Sequence, residues 1–159
     1  MSLRFPNGTQ TREAFSVYAS GLGLSGSALI TGGYNFQSEF SYLTRFDIAT
    51  NTFSNLAPLP VARHLGASVF YPSGGSMGRV FVIGGTNRTT QFSRVDIYDI
   101  GTNTWSLGAS MPQALYGHTS VLVENNSGSF IYVFGGFNGI STFDSVYLYN
   151  ITGNTWTTL

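Results

Sequence analysis

Any chemistry done by this chain would fall to two imidazoles and a few carboxylates. His64 and His118 are its only histidines, Asp and Glu together number seven, and there is no cysteine. A nucleophilic triad needs a Ser or Cys beside a His that a carboxylate orients. The two histidines stand at different positions of the internal pattern described below, and neither has such a setting. Two His with scattered acids and no Cys do not make a metal-ligand cluster. Gly74-Gly75 and the glycines of residues 21–26 fall in turns, without the Lys, the Ser or Thr and the helix that a phosphate loop requires. The reading is no catalytic residue, no metal and no cofactor.

The charge balance narrows the partners. All seven basic residues are Arg, they match the seven acids, and charged residues make up 9% of the chain. No basic stripe can neutralise a run of phosphates, so nucleic acid is not an expected partner. The longest apolar runs, such as residues 130–134, fall far short of the roughly 18 to 20 needed to span a bilayer. Residues 1–10 have no apolar signal core. Asn7, Asn87, Asn125 and Asn150 each begin an N-x-S/T sequon. With the low charge and the many Ser, Thr, Asn and Gly, they point to a secreted or cell-surface glycoprotein, a cytoplasmic location being the alternative.

What would position these residues is a repeat. Gly32-Gly33 returns as Gly84-Gly85 and Gly135-Gly136. Phe46-Asp47-Ile48 returns as Tyr98-Asp99-Ile100 and Tyr149-Asn150-Ile151. Asn51-Thr52-Phe53 returns as Asn103-Thr104-Trp105 and Asn154-Thr155-Trp156. Every set steps by 52 and then by 51. The runs Val80-Phe81-Val82-Ile83 and Ile131-Tyr132-Val133-Phe134 are short, apolar and rich in β-branched and aromatic residues, the pattern of strands covered on both faces. The glycine pair ending each run lets the chain bend and lets a large ring approach, for which Trp105 and Trp156 are the expected partners. Asp47, Asp99 and Asn150 precede tight turns at 49–51, 101–103 and 152–154, where a repeated Asx side chain is expected to clasp the turn rather than catalyse.

These ordered anchors resemble the kelch repeat, in which a hydrophobic strand ends in a Gly pair and is followed by a Tyr-Asp strand, a short turn and Trp. The likeness covers nearly the whole chain. Phe53 stands for the Trp in the first copy, Asn150 for the Asp in the third, and the family's Arg is Arg63 in one copy and Leu115 in the next. The resemblance implies an all-β fold of three four-stranded antiparallel blades, at about residues 12–57, 63–108 and 115–159, forming part of a β-propeller. In copy two the strands are expected at 67–71, 79–84, 92–100 and 104–107. Some kelch propellers are enzymes. Copper radical oxidases need a Tyr–Cys crosslink that this chain cannot supply, and a sugar-modifying enzyme completed by further blades is the remaining catalytic alternative. His118 falls where the repeat often has His, at the start of an inner strand, while His64 is expected in a surface connection.

In a four-stranded blade the loops between second and third strands emerge on the same side as the blade-to-blade connections. In kelch proteins that side commonly binds the partner. It collects Tyr34, Asn35, Phe36, Asn87, Arg88, Phe137 and Asn138 from the loops, with Arg63, His64, Leu115 and Tyr116 from the connections. Tyr, Phe, Arg and Asn are what protein or glycan recognition uses. The expected function is a non-catalytic recognition or assembly module. Three blades are too few to close a ring, so self-association or further blades of a longer chain are expected. Trp105 is expected to matter most for stability, and Asn138, in an exposed loop, to matter little.

Overall fold

The computed structural model describes residues 12–19 and 26–159, so the sequon at Asn7 lies outside the described residues. The described residues form twelve strands and no helix. Blade 1 contains β1 (Phe15–Ala19), β2 (Ser27–Thr31), β3 (Leu43–Asp47) and β4 (Thr52–Leu56). Blade 2 contains β5 (Ala67–Tyr71), β6 (Arg79–Ile83), β7 (Val95–Asp99) and β8 (Thr104–Leu107). Blade 3 contains β9 (Thr119–Asn125), β10 (Gly128–Phe134), β11 (Val146–Asn150) and β12 (Thr155–Thr158). Each blade is an antiparallel meander in chain order. The registers repeat as well: Ala28 faces Phe46, Val80 faces Tyr98, and Ile131 faces Tyr149. The first strands stand side by side, β5 between β1 and β9, so they form the inner edge around which the blades are arranged.

The expected strands of copy two are matched at β5 and β8, whereas β7 is shorter than expected at its N-terminal end. There Gly84 N–H donates to the Arg94 carbonyl and Phe92 N–H to the Gly85 carbonyl, so 92–94 leave the regular ladder to wrap the glycine pair. Blade 2 is buried on both sides. Val80 and Val82 join Leu29 and Tyr98 in one core beneath blade 1, while Phe81 and Ile83 join Ile131 and Val133 in a second core beneath blade 3. In β10, by contrast, only Ile131 and Val133 are buried. Phe134 on the other side is 40% exposed, so the expectation of two covered faces holds for β6 and not for β10.

The repeated Asx and Trp residues explain how the blades are joined. Asp47, Asp99 and Asn150 each accept, through Oδ1, a backbone N–H three residues on, at 3.0, 3.1 and 2.8 Å. The following Asn51, Asn103 and Asn154 have φ of 56°, 55° and 50°, the left-handed region that Asn tolerates better than most side chains. In blade 2, Asn103 Oδ1 accepts from Ala57 N–H, and Trp105 Nε1 donates to the Ala57 carbonyl, both at 2.8 Å. In blade 3, Asn154 and Trp156 treat Ala109 in the same way, at 2.6 and 2.8 Å. Each blade thus grips the segment leaving the previous outer strand. Tyr98 and Tyr149 brace these Asn through their hydroxyls. The rings filling the glycine-pair space are therefore not the tryptophans: a Cβ at Gly32 would meet Phe15, and one at Gly84 would meet His118.

Candidate functional site

The loops joining second to third strands share one construction. Tyr34 bridges to Arg12 and Glu39, Thr86 to His64 and Gln91, and Phe137 to Tyr116 and Thr142, so each loop is tied to the connection that enters its own blade. Each also turns on an Asn. Asn35 Oδ1 accepts from the N–H groups of Gln37 and Ser38, Asn87 Oδ1 from Thr90, and Asn138 Oδ1 from Ile140 and Ser141. These three Asn, expected to meet a partner, have their carbonyl oxygens engaged in shaping the loops. The next residue has positive φ in all three: 74° at Phe36, 71° at Arg88 and 91° at Gly139. Gly adopts this readily, but Phe and Arg adopt it at a cost that the surrounding loop must offset.

Blades 1 and 2 bring six side chains into one cluster. The His64 ring stacks on Tyr34 with centroids 5.0 Å apart, and Tyr34 meets Phe36 edge-on at 5.6 Å. Arg12 lies over the Phe36 ring at 4.5 Å, and Arg88 over Tyr34 at 5.1 Å. Arg88 crosses from blade 2 to blade 1, donating to both carboxylate oxygens of Glu39 and, at 3.2 Å, to the Gln37 carbonyl. The Arg88 hydrogen bond holds Glu39 below the usual carboxylate range, and Glu39 in turn raises Arg88. Phe36 remains 62% exposed at the centre of this charged and aromatic surface.

Blade 3 carries a second, more apolar patch. Tyr116 meets Phe137 edge-on at 5.4 Å. They line an open depression of about 430 Å³ with Phe143, Thr142, Gly136, Gly117 and Leu65. Beyond it Ile140 is 88% exposed. The two patches meet where Gly139 lies against the Gln91 side chain.

Three expected surface residues are buried instead. Arg63 is fully buried, paired with Asp96 at 2.8 Å, and donates to the carbonyls of Gly84, Val82 and Val61 at 2.9, 3.2 and 3.2 Å. Burial pulls its guanidinium down from the usual range while Asp96 opposes that shift. Arg94 also binds Asp96, at 2.7 and 2.6 Å, so the buried carboxylate has two cationic partners. Arg63 is thus a strut across β6 and β7 and offers nothing to a partner. Leu115, at its repeat position in blade 3, is also fully buried. His64 lies in the connection entering blade 2 as expected but is only 4% exposed, its ring stacked on Tyr34 and Glu13 3.7 Å away. Burial lowers its pKa, and the charges of Glu13 and Glu39 oppose this.

His118 is buried as expected, its Nε2 3.2 Å from the Ile83 carbonyl, and desolvation lowers its pKa to about 4. The two histidines therefore sit in separate places, and among the described residues no three His, Asp or Glu come together as a metal site. The sequence reading missed Arg12, Glu13, Glu39, Leu65, Gly117, Thr142 and Phe143. The repeat could have found several of them, since Arg12, His64 and Tyr116 are equivalent positions at a step of 52.

The comparisons agree with this architecture. The family model described as the KLHDC2/KLHL20/DRC7 Kelch-repeats domain matches residues 17–159. A kelch repeat-containing protein of Dictyostelium discoideum is 25% identical over 91% of this chain and 25% of its own length. The F-box/kelch-repeat protein OR23 of Arabidopsis thaliana is 29% identical over 77% of the chain and 31% of its own. The Rab9 effector protein with kelch motifs of Bos taurus is 36% identical over 51% of the chain and 22% of its own. The chain therefore spans less than a third of the length of these relatives. With three meander sheets, their glycine pairs and the Asn and Trp clasps repeating in register, the chain belongs to the kelch-repeat family and forms three β-propeller blades.

Proposed function

We propose that this chain is a non-catalytic protein-recognition module whose partner contacts the loop face of blades 1 to 3. The observation that carries this reading is the cluster at the tips of the first two loops, where Phe36 is held 62% exposed at φ 74° between Arg12 and Tyr34. An aromatic ring displayed at a strained tip and rimmed by Arg is the composition of an interface anchor. Phe36, Arg88 and Ile140 rise from three blades on one side, spreading the contact over a surface rather than a cleft. The relative named as a Rab9 effector supports a protein ligand over a carbohydrate, since its name ties kelch motifs to a protein partner.

The test compares this chain with a triple variant, Phe36→Ala, Arg88→Ala and Ile140→Ser, in crosslinking captures from its own cells. Thr50→Ala/Thr102→Ala, on the opposite turns, is the control. Captured proteins lost by the triple variant and kept by the control are the expected result. Equal capture by all three proteins contradicts the reading.

A further inference from the structure

Arg12, His64 and Tyr116 occupy one position of the repeat, at a step of 52. Each packs on a ring of the loops: Arg12 over Phe36, His64 on Tyr34 and Tyr116 against Phe137. Of these three side-chain types only imidazole changes its charge in mildly acidic solution. His64 is also the one whose contact crosses between blades. Its backbone is fixed in blade 2 by a reciprocal pair of 2.9 Å hydrogen bonds with Thr86, while its ring stacks on Tyr34 of blade 1, 20° from parallel. Tyr34 in turn bridges to Glu39 and meets Phe36 edge-on. The imidazole is therefore a buried prop against the loop that displays Phe36.

The surroundings suit the neutral ring. His64 Nδ1 is buried and has no hydrogen-bond partner among the described residues. Its Nε2 lies 3.7 Å from Glu13, beyond hydrogen-bond reach. The charges facing the ring are Glu13 from the connection entering blade 1, Glu39 from the blade 1 loop and Arg88 from the blade 2 loop, with the Tyr34 phenol in contact. Glu39 is already taken by Arg88, which donates to both of its oxygens. A second proton gives both ring nitrogens an N–H, and neither has an acceptor in place. We infer that His64 is a proton-operated release for the recognition surface: neutral, it seats Tyr34 and holds Phe36 outward; protonated, it turns towards Glu13, leaves the stack and lets residues 34–39 loosen. This deepens the recognition reading and rests on it for one consequence, that acid weakens partner binding. Glu13 provides the exit, since its carboxylate is 44% exposed and draws an imidazolium towards solvent. Phe36 favours the release, because its φ of 74° is strained and held only by its surroundings. The Arg88 bonds to Glu39 and Gln37 keep the loop tethered, so the change is a local loosening. Burial outweighs the two carboxylates and sets the ring's pKa below the ordinary 6.5, so the release belongs to acidic solution.

The test needs no partner, so its failure and the failure of the recognition reading are separate results. Histidine ring and backbone amide resonances of the chain are followed by NMR from pH 7 down towards pH 4. Solvent exchange of the amides is measured relative to the intrinsic rate at each pH. The amides of Tyr34, Asn35 and Phe36 are expected to shift with the midpoint of the His64 ring and to exchange several-fold faster on its acidic side, while those of Val82 and Ile131 stay protected. His64→Phe keeps a flat ring without a proton site, and its loop is expected to hold still over the same range. Glu13→Gln removes a charge that favours the protonated ring, and is expected to move the loop midpoint to lower pH. Should His64→Phe not fold, Glu13→Gln decides. A loop that holds still while the wild-type ring protonates, or that moves equally with Phe at position 64, would overturn the inference. So would a midpoint unchanged in Glu13→Gln, or a loop that opens only together with the core.

Discussion

Trp105 joins the outer turn of blade 2 to the segment leaving blade 1, through its Nε1 bond to Ala57 and its ring on Tyr98, 5.0 Å between centroids. Replacing it with Ala removes a half-buried ring and leaves the Ala57 carbonyl without its indole donor. The expected loss is about 3 kcal/mol in chemical denaturation. Asn138→Ala, which the sequence alone would class as nearly neutral, is expected to cost about 1 kcal/mol, because its Oδ1 holds two N–H groups of its loop. A smaller loss at Trp105 than at Asn138 would contradict the clasp. His118 gives a pH signature. Its folded pKa of about 4 lies below the ordinary 6.5, so the unfolded chain binds the extra proton between those values. Stability is then full above about pH 6.5 and falls as the pH drops towards 4, by about 2 kcal/mol between pH 7 and 5 from this group. His64, also lowered, adds in the same direction, while the carboxylates held low, Glu39, Asp47 and Asp99, contribute only at more acidic pH. Urea titrations of wild type and His118→Asn at pH 7 and 5 measure it, and a wild type as insensitive to pH as the variant would refute it.

At the scale of the strand and turn, much was legible in the sequence because the same physics is written three times. β5 and β8 fall where the apolar runs place them, and the Asx turn clasps follow from Asp47, Asp99 and Asn150 recurring before tight reversals. What was not legible depends on contacts between distant elements. Arg63 reads as a surface cation until Asp96 of β7 is seen beneath it. A trace of this did exist: Leu115 and Tyr147 replace the pair in the next copy, both buried. The rings beside the glycine pairs were misassigned because Trp105 and Trp156 are the obvious large residues, while Phe15 and His118 belong to first strands whose sideways neighbours no local pattern names. The sequons separate at this scale too. Asn125 and Asn150 both have Oδ1 engaged by a turn N–H, of Ser127 and Gly153, but Asn125 is exposed at the β9–β10 turn, whereas Asn150 ends β11 half-buried and paired with Phe130 and Thr155. Expression through a eukaryotic secretory route is expected to glycosylate Asn125 and leave Asn150 bare. Peptide mass mapping after glycosidase treatment reads this directly, and modification of Asn150 alone would reverse the assignment.

Across the whole molecule, function rests on the meander putting unlike ends on opposite sides. The turns between third and fourth strands in blades 2 and 3, β7–β8 and β11–β12, are occupied with gripping the preceding blade. The loops between second and third strands carry Phe36, Arg88 and Ile140 outward. The blade thus separates the turns that clasp its neighbour from the exposed loop tips that the proposed partner would contact. The most direct test of that division is amide hydrogen exchange of the chain alone and bound to the partner recovered by crosslinking. Slowed exchange over residues 34–39, 86–91 and 137–142, with residues 49–51, 101–103 and 152–154 unchanged, is the predicted result. Protection confined to the latter turns would contradict the account.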